Sequence, residues 1–162
     1  PLLQQASEAT TEATSAEPGL VVLVRSLEQL LALQDLSPAA APILSVVADL
    51  EQPKELREAV AIGRGCWRDG IWLAGARITR PNERWTLAPL IQARADGYLV
   101  RNVDQLEALT PLAPCIGDFS LNSANPLSVD WYRRRWGLKR LTASYDLNLH
   151  KGIQGKCRAP HR

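Results

Sequence analysis

Unbroken apolar runs alternate with amphipathic stretches along most of this chain. Leu20–Val24 is wholly apolar between Gly19 and Arg25, the pattern of a strand buried on both faces. Ser26 follows, with Gln29 three residues on and Leu27, Leu30 and Leu31 at helical spacing. A hydroxyl there accepts from the free N–H groups of a first helical turn, so the spacing predicts a capped helix. Further strands are expected at Ile43–Val47, Ile71–Ile78, Tyr98–Val100, Ile116–Leu121 and Leu138–Leu147. In the segments between them, Pro53 suits a first helical position ahead of Leu56, Ala59 and Val60, and a helix from about Thr86 to Ala95 keeps Pro89 in its first turn. Asn102 with Gln105 caps a fourth helix, and Asn125-Pro126 opens a fifth that Gly137 closes.

Strand starts near residues 20, 43, 71, 97, 116 and 138 leave room for a helix in every connection. That rhythm means parallel strands joined by crossovers, hence a barrel or a doubly wound open sheet. Two features favour the barrel. Arg25-Ser26 stands where a dinucleotide-binding fold would carry its Gly-rich phosphate loop. Alternation also sets Asp118, Ser120 and Asn122 against Phe119 and Leu121, and Ser144, Asp146 and Asn148 against Tyr145 and Leu147. With the apolar set facing outer helices, the polar set points into a barrel near the carboxyl ends of its strands, where barrel active sites lie. The expected fold is α/β, an incomplete TIM-like (β/α) barrel of about six parallel strand–helix units over residues 20–148. Eight strands fill such a barrel, so this sheet should stay open, with the rest of a parent barrel as the partner that closes it.

Residues 1–19 are rich in Ala, Thr, Glu, Ser and Gln and end in Pro18-Gly19, a linker composition; residues 149–162 lack periodicity and read as a divergent, disordered tail. The formal charge of +2 misleads, because Lys151, Lys156, Arg158 and Arg162 crowd that tail and the body without it carries more acid than base. Such a body has no general attraction for phosphate backbones, and the Arg133-Arg134-Arg135 run reads first as a solvated helix face. The 162 residues include no Met and start at Pro1, which favours a segment of a longer gene product. No apolar run is long enough for a membrane helix and no leader pattern stands at the start, so a cytoplasmic protein is expected. Cys66, Cys115 and Cys157 match neither a zinc spacing nor a paired framework, and His150 and His161 beside Cys157 add no metal spacing. Unpaired thiols suit a reducing compartment.

Three segments carry a likeness to a known family: Asp96-Gly97-Tyr98-Leu99-Val100-Arg101-Asn102, then Gly117-Asp118-Phe119-Ser120-Leu121-Asn122 with Ala124-Asn125-Pro126, then Leu141-Thr142-Ala143-Ser144-Tyr145-Asp146-Leu147-Asn148. In this order they resemble successive barrel segments of the collagenase-like peptidases, peptidase family U32, and the resemblance runs from about Leu20 to Asn148. It implies a fragment of a peptidase-type hydrolase barrel acting on a protein or peptide. Some members of the family instead carry out oxygen-independent hydroxylation of RNA bases or a quinone precursor with an iron–sulfur cluster. This chain lacks the family's downstream Glu, Gly-rich segment and paired cysteines, so no cofactor is supported, and a non-catalytic remnant is the third reading.

The candidate catalytic residues are Asp118 and Asp146, carboxylates on adjacent strands about 4.8 Å apart that can share a proton or a metal. The plainer alternative is hydrogen bonding between neighbouring loops. Arg25, Arg77 and Arg101 close three strands at similar places and can hold a substrate carboxylate or phosphate, or equally pair with barrel acids. Ser120, Asn122 and Asn148 complete the candidate substrate-binding set, while Asn102 and Asn125 are explained as helix caps. No Ser-His-Asp or Cys-His arrangement is visible.

Overall fold

The computed structural model describes residues 19–36, 42–80, 83–138 and 140–145. The linker and tail expectations, along with Asp146, Asn148, His150, Cys157 and His161, therefore lie outside the described residues. Six strands, β1 (Leu20–Val24), β2 (Ile43–Ala48), β3 (Ile71–Ala74), β4 (Gly97–Val100), β5 (Cys115–Gly117) and β6 (Arg140–Leu141), form one sheet in chain order with every pairing parallel. Helices α1 (Leu27–Gln34), α2 (Pro53–Gly63), α3 (Ala88–Ala93), α4 (Val103–Leu109) and α5 (Pro126–Trp136) fill the connections. The sheet curls into a half-barrel, and among the described residues β1 and β6 each keep one edge without a neighbouring strand. No helix among the described residues is long and apolar enough to cross a membrane.

Local chemistry sets the helix ends. Ser26 Oγ accepts from Gln29 N at 3.2 Å, and Gln29 Oε1 accepts from Arg25 N at 2.7 Å. The same exchange opens α4, where Asn102 Oδ1 accepts from Gln105 N at 3.0 Å and Gln105 Oε1 from Arg101 N at 2.8 Å. Val24-Arg25-Ser26-Leu27-Glu28-Gln29-Leu30 and Val100-Arg101-Asn102-Val103-Asp104-Gln105-Leu106 are thus one turn used twice, each aiming an arginine from a strand end. Asn125 and Ser128 form a reciprocal capping box for α5, and Gly137 ends that helix with a left-handed φ of 66°.

The main core lies between the convex sheet face and the helices, built on Val46, Ala48, Leu73 and Val100 from the strands and Leu30, Ala59, Leu90, Leu106 and Leu109 from α1 to α4. On the concave face Val47, Trp72, Ala74, Leu99 and Ile116 form a second apolar layer. Gly97 makes this possible. It stands opposite Trp72 in the register, and a Cβ there would meet the indole at 2.4 Å.

Four strand expectations need correction. β3 stops at Ala74: the Gly75 N–H still reaches Leu99 O on β4 at 3.4 Å, but its carbonyl turns to Arg101 at 2.9 Å. β5 stops at Gly117, and Phe119–Leu121 is a 3-10 turn closed by Asn122 at φ 53°, so period-2 alternation does not govern that stretch. Among the described residues β6 is Arg140–Leu141, with one further bridge between Ser123 and Ala143. The expectation of two buried faces fails for β1, where Val21 and Leu23 are 43% and 44% exposed on the concave side, since among the described residues no strand lies beyond β1 to cover it. The helix expected over Thr86–Ala95 divides into a 3-10 turn, Arg84–Leu87, and α3, with Pro89 in the first turn as the steric argument requires.

Candidate functional site

Polar groups gather just past the carboxyl ends of β2 to β5. Arg101, one residue beyond β4, is their centre. Its Nη1 donates to Asp49 Oδ1 and to Gly75 O, both at 2.9 Å, and its Nη2 donates to Asp49 Oδ2 at 2.8 Å. Its Nε lies 3.3 Å from Asp118 Oδ2, close enough for an ion pair although the angle is too poor for a hydrogen bond. One guanidinium therefore ties together the ends of β2, β3, β4 and β5. Planar fork geometry makes Arg suited to this, and a Lys could not reproduce the bidentate grip.

Burial sharpens the electrostatics. The side chains of Arg101, Asp118 and Asp49 are 5%, 9% and 21% exposed. The hydrogen bonds from Arg101 hold the Asp49 carboxyl below its usual range; burial opposes this, and the charges of Arg101, Arg25 and Arg77 reinforce it. Burial works against the Arg101 cation, yet the bonds and charge of Asp49, joined by Asp118, outweigh it and raise its pKa. Asp49 and Arg101 therefore each hold the other in its charged form through neutral pH.

Ser120 supports the cluster from the solvent side. Its Oγ is 3.0 Å from Arg101 O and 3.1 Å from Asp118 Oδ2, and its single proton serves one of them at a time. Asn122 is exposed and its left-handed backbone explains its identity as a turn residue. Arg77 leaves the carboxylates and lies over the Phe119 ring at 4.6 Å, while Phe119 meets Tyr145 edge-on at 5.0 Å. Arg25 is exposed at the same rim, near enough to act on Asp49 by its charge. Of the sequence candidates, the structure joins Arg101, Asp118 and Ser120, and leaves Arg25, Arg77 and Asn122 around them. Asp49 was missed. Its signal was an acid directly after the apolar run Val46-Val47-Ala48.

Below the rim the open concave face forms a groove of about 540 Å³, walled by Val21, Leu23, Val47, Leu99, Ile116 and Leu141, with Asp118, Ser123, Asn125, Arg133, Arg140 and Thr142 among its polar lining. The expectation of a polar barrel interior is thus corrected: the concave residues of β2 to β5 are apolar and pack on each other, and the acids Asp49 and Asp118 stand just past the ends of β2 and β5. Asp118 is the carboxylate that reaches this groove.

The two described cysteines, Cys66 and Cys115, stand away from this rim. Cys115 opens β5 within the main core, and burial pushes its thiol up to about 12. Cys66 lies exposed beyond α2, contacting Ile62 O and the Gln34 amide. No group of three or more His, Cys, Asp or Glu with metal-binding placement occurs among the described residues. Comparison with family models, curated proteins and solved structures returns no match for this chain.

Proposed function

We propose that this chain is the substrate-binding part of a hydrolase barrel of the collagenase-like peptidase kind, acting on peptides lodged in the concave groove. The observation that carries the reading is the placement of Asp118: buried, fixed by Arg101 and Ser120, and facing the groove from the end of β5. A carboxylate so held can take a proton from a water attacking a peptide carbonyl, with Asp118 as general base. Arg101 and Ser120 are positioning residues, fixing the carboxylate without reaching the groove themselves. Further strand–helix units pairing with the free edges of β1 and β6 would close the ring and exclude water from this site.

A specific observation also supports a non-catalytic reading. The Arg101 head group is consumed by Asp49, Gly75 and Asp118, which is what a clamp holding strand ends requires. The two readings separate in a gelatin and short-peptide hydrolysis assay of the chain alone and joined to two further β/α units, each with and without Asp118→Asn. An open rim lacks preorganisation, so the chain alone should be slower by roughly 100-fold or more. Hydrolysis by the joined form that Asp118→Asn abolishes supports the hydrolase. Hydrolysis indifferent to Asp118→Asn, or none in either form, leaves the clamp.

A further inference from the structure

The groove carries a charge pattern that the rim does not explain. Arg140 stands opposite Ile116 in the β5–β6 register, and Ile116 stands opposite Leu99. Residues opposite one another in a ladder share a face, so Arg140 projects from the concave wall. Arg133 joins it from α5, one turn beyond Val129 and two beyond Asn125, all three lining the groove along a single helix stripe. The structure splits the arginine run of α5. Arg134 pairs with Asp130 at 2.9 Å and Arg135 stacks over Trp136 at 4.6 Å, which leaves Arg133 turned to the groove.

Among the described residues neither Arg133 nor Arg140 has an ion-pair partner. Asp118 also reaches the groove, but its charge is already met by Arg101. In the same wall Ser123 is 2% exposed and its hydroxyl has no partner. A buried hydroxyl without a partner costs free energy that a bound polar group would recover. The remaining wall is aliphatic, and about 540 Å³ is within the range of sites for small ligands.

We propose that the groove binds the carboxyl-terminal end of a peptide, with the terminal α-carboxylate held by Arg133 and Arg140. The last apolar side chain lies on Val47, Leu99 and Ile116, and a peptide group of the ligand meets Ser123. Charge complementarity selects the ligand: two cations beside an apolar wall fit a single anionic head on an apolar body. This names a substrate class for the hydrolase reading and rests on the same groove, but binding is measurable without turnover, so the two can fail separately.

The test is isothermal titration of the chain with N-acetyl-dileucine as the free acid, with its carboxyl-terminal amide, and with dodecanoate. The free acid should bind about ten-fold or more tightly than the amide, and its binding should weaken with added salt. Arg133→Gln and Arg140→Gln should each weaken the acid about five-fold or more and leave the amide unchanged, with circular dichroism confirming that both variants stay folded. Equal affinity for acid and amide, or no effect of either variant, would overturn the assignment. So would dodecanoate binding more than about ten-fold tighter than the peptide acid, since that result gives the groove to a lipid chain. Acid-selective binding without hydrolysis would sustain this site and remove only the hydrolase reading.

Discussion

Replacing Arg101 by Met keeps the length and apolar stem of the side chain but leaves two carboxylates facing a space that held a cation. Asp118 is 9% exposed and loses its ion-pair partner; Asp49, at 21%, loses two charge-assisted hydrogen bonds; Gly75 O loses a donor. Removing one member of a buried ion pair typically costs about 3–5 kcal/mol, and the partial exposure of Asp49 argues for the lower end, about 3 kcal/mol. For a domain of this size that is a fall in Tm of roughly 6–12 °C. The pH dependence supplies a second check. The folded-state pKa of Asp49 is depressed, chiefly by the hydrogen bonds from Arg101. Its stabilisation is therefore present above the unfolded carboxylate value and lost as pH falls through the folded one. Urea denaturation of wild type and Arg101→Met should thus show the full difference near pH 7 and a shrinking one below about pH 4. A variant within about 1 kcal/mol of wild type at neutral pH, or a gap that does not narrow in acid, would refute the view that this triad holds the strand ends together.

Three further outcomes follow from the packing. Gly97→Ala sets a methyl against the Trp72 indole, and chemical denaturation should report a loss of about 1–3 kcal/mol with a red-shifted tryptophan emission. Asn125→Ala removes half of the α5 capping box and should cost about 1 kcal/mol, whereas Asn125→Asp should recover most of it. With the Cys115 thiol raised to about 12 and Cys66 exposed, iodoacetamide at mildly alkaline pH should label Cys66 in the native protein and reach Cys115 only after denaturation, as mass spectrometry of the digested chain would show.

The order of strands and helices was legible in the amino-acid sequence because burial leaves a period. The apolar runs at Ile43–Val47 and Tyr98–Val100 and the caps at Ser26, Asn102 and Asn125 are local signals, and each stands at its element in the fold. Where strands end was not legible. The segments after Ala74 and Gly117 continue in residues a strand would accept, yet the chain turns away because Gly75 O and Asp118 are drawn to a guanidinium more than twenty and nearly twenty residues distant along the chain. That attraction exists only once β2 to β5 lie side by side. Asp118 was recognisable as an acid at a strand end, but its partner Asp49 comes 52 residues before Arg101, and no local pattern connects them. The same holds for the groove. Arg133 belongs to a run that reads as a solvated helix face and Arg140 to a short edge strand; only the curl of the sheet brings both to one apolar wall. Local sequence determines what each segment can form by itself, while the pairing of buried charges and the facing of distant side chains are decided by the tertiary structure, because both depend on contacts between residues far apart in the chain.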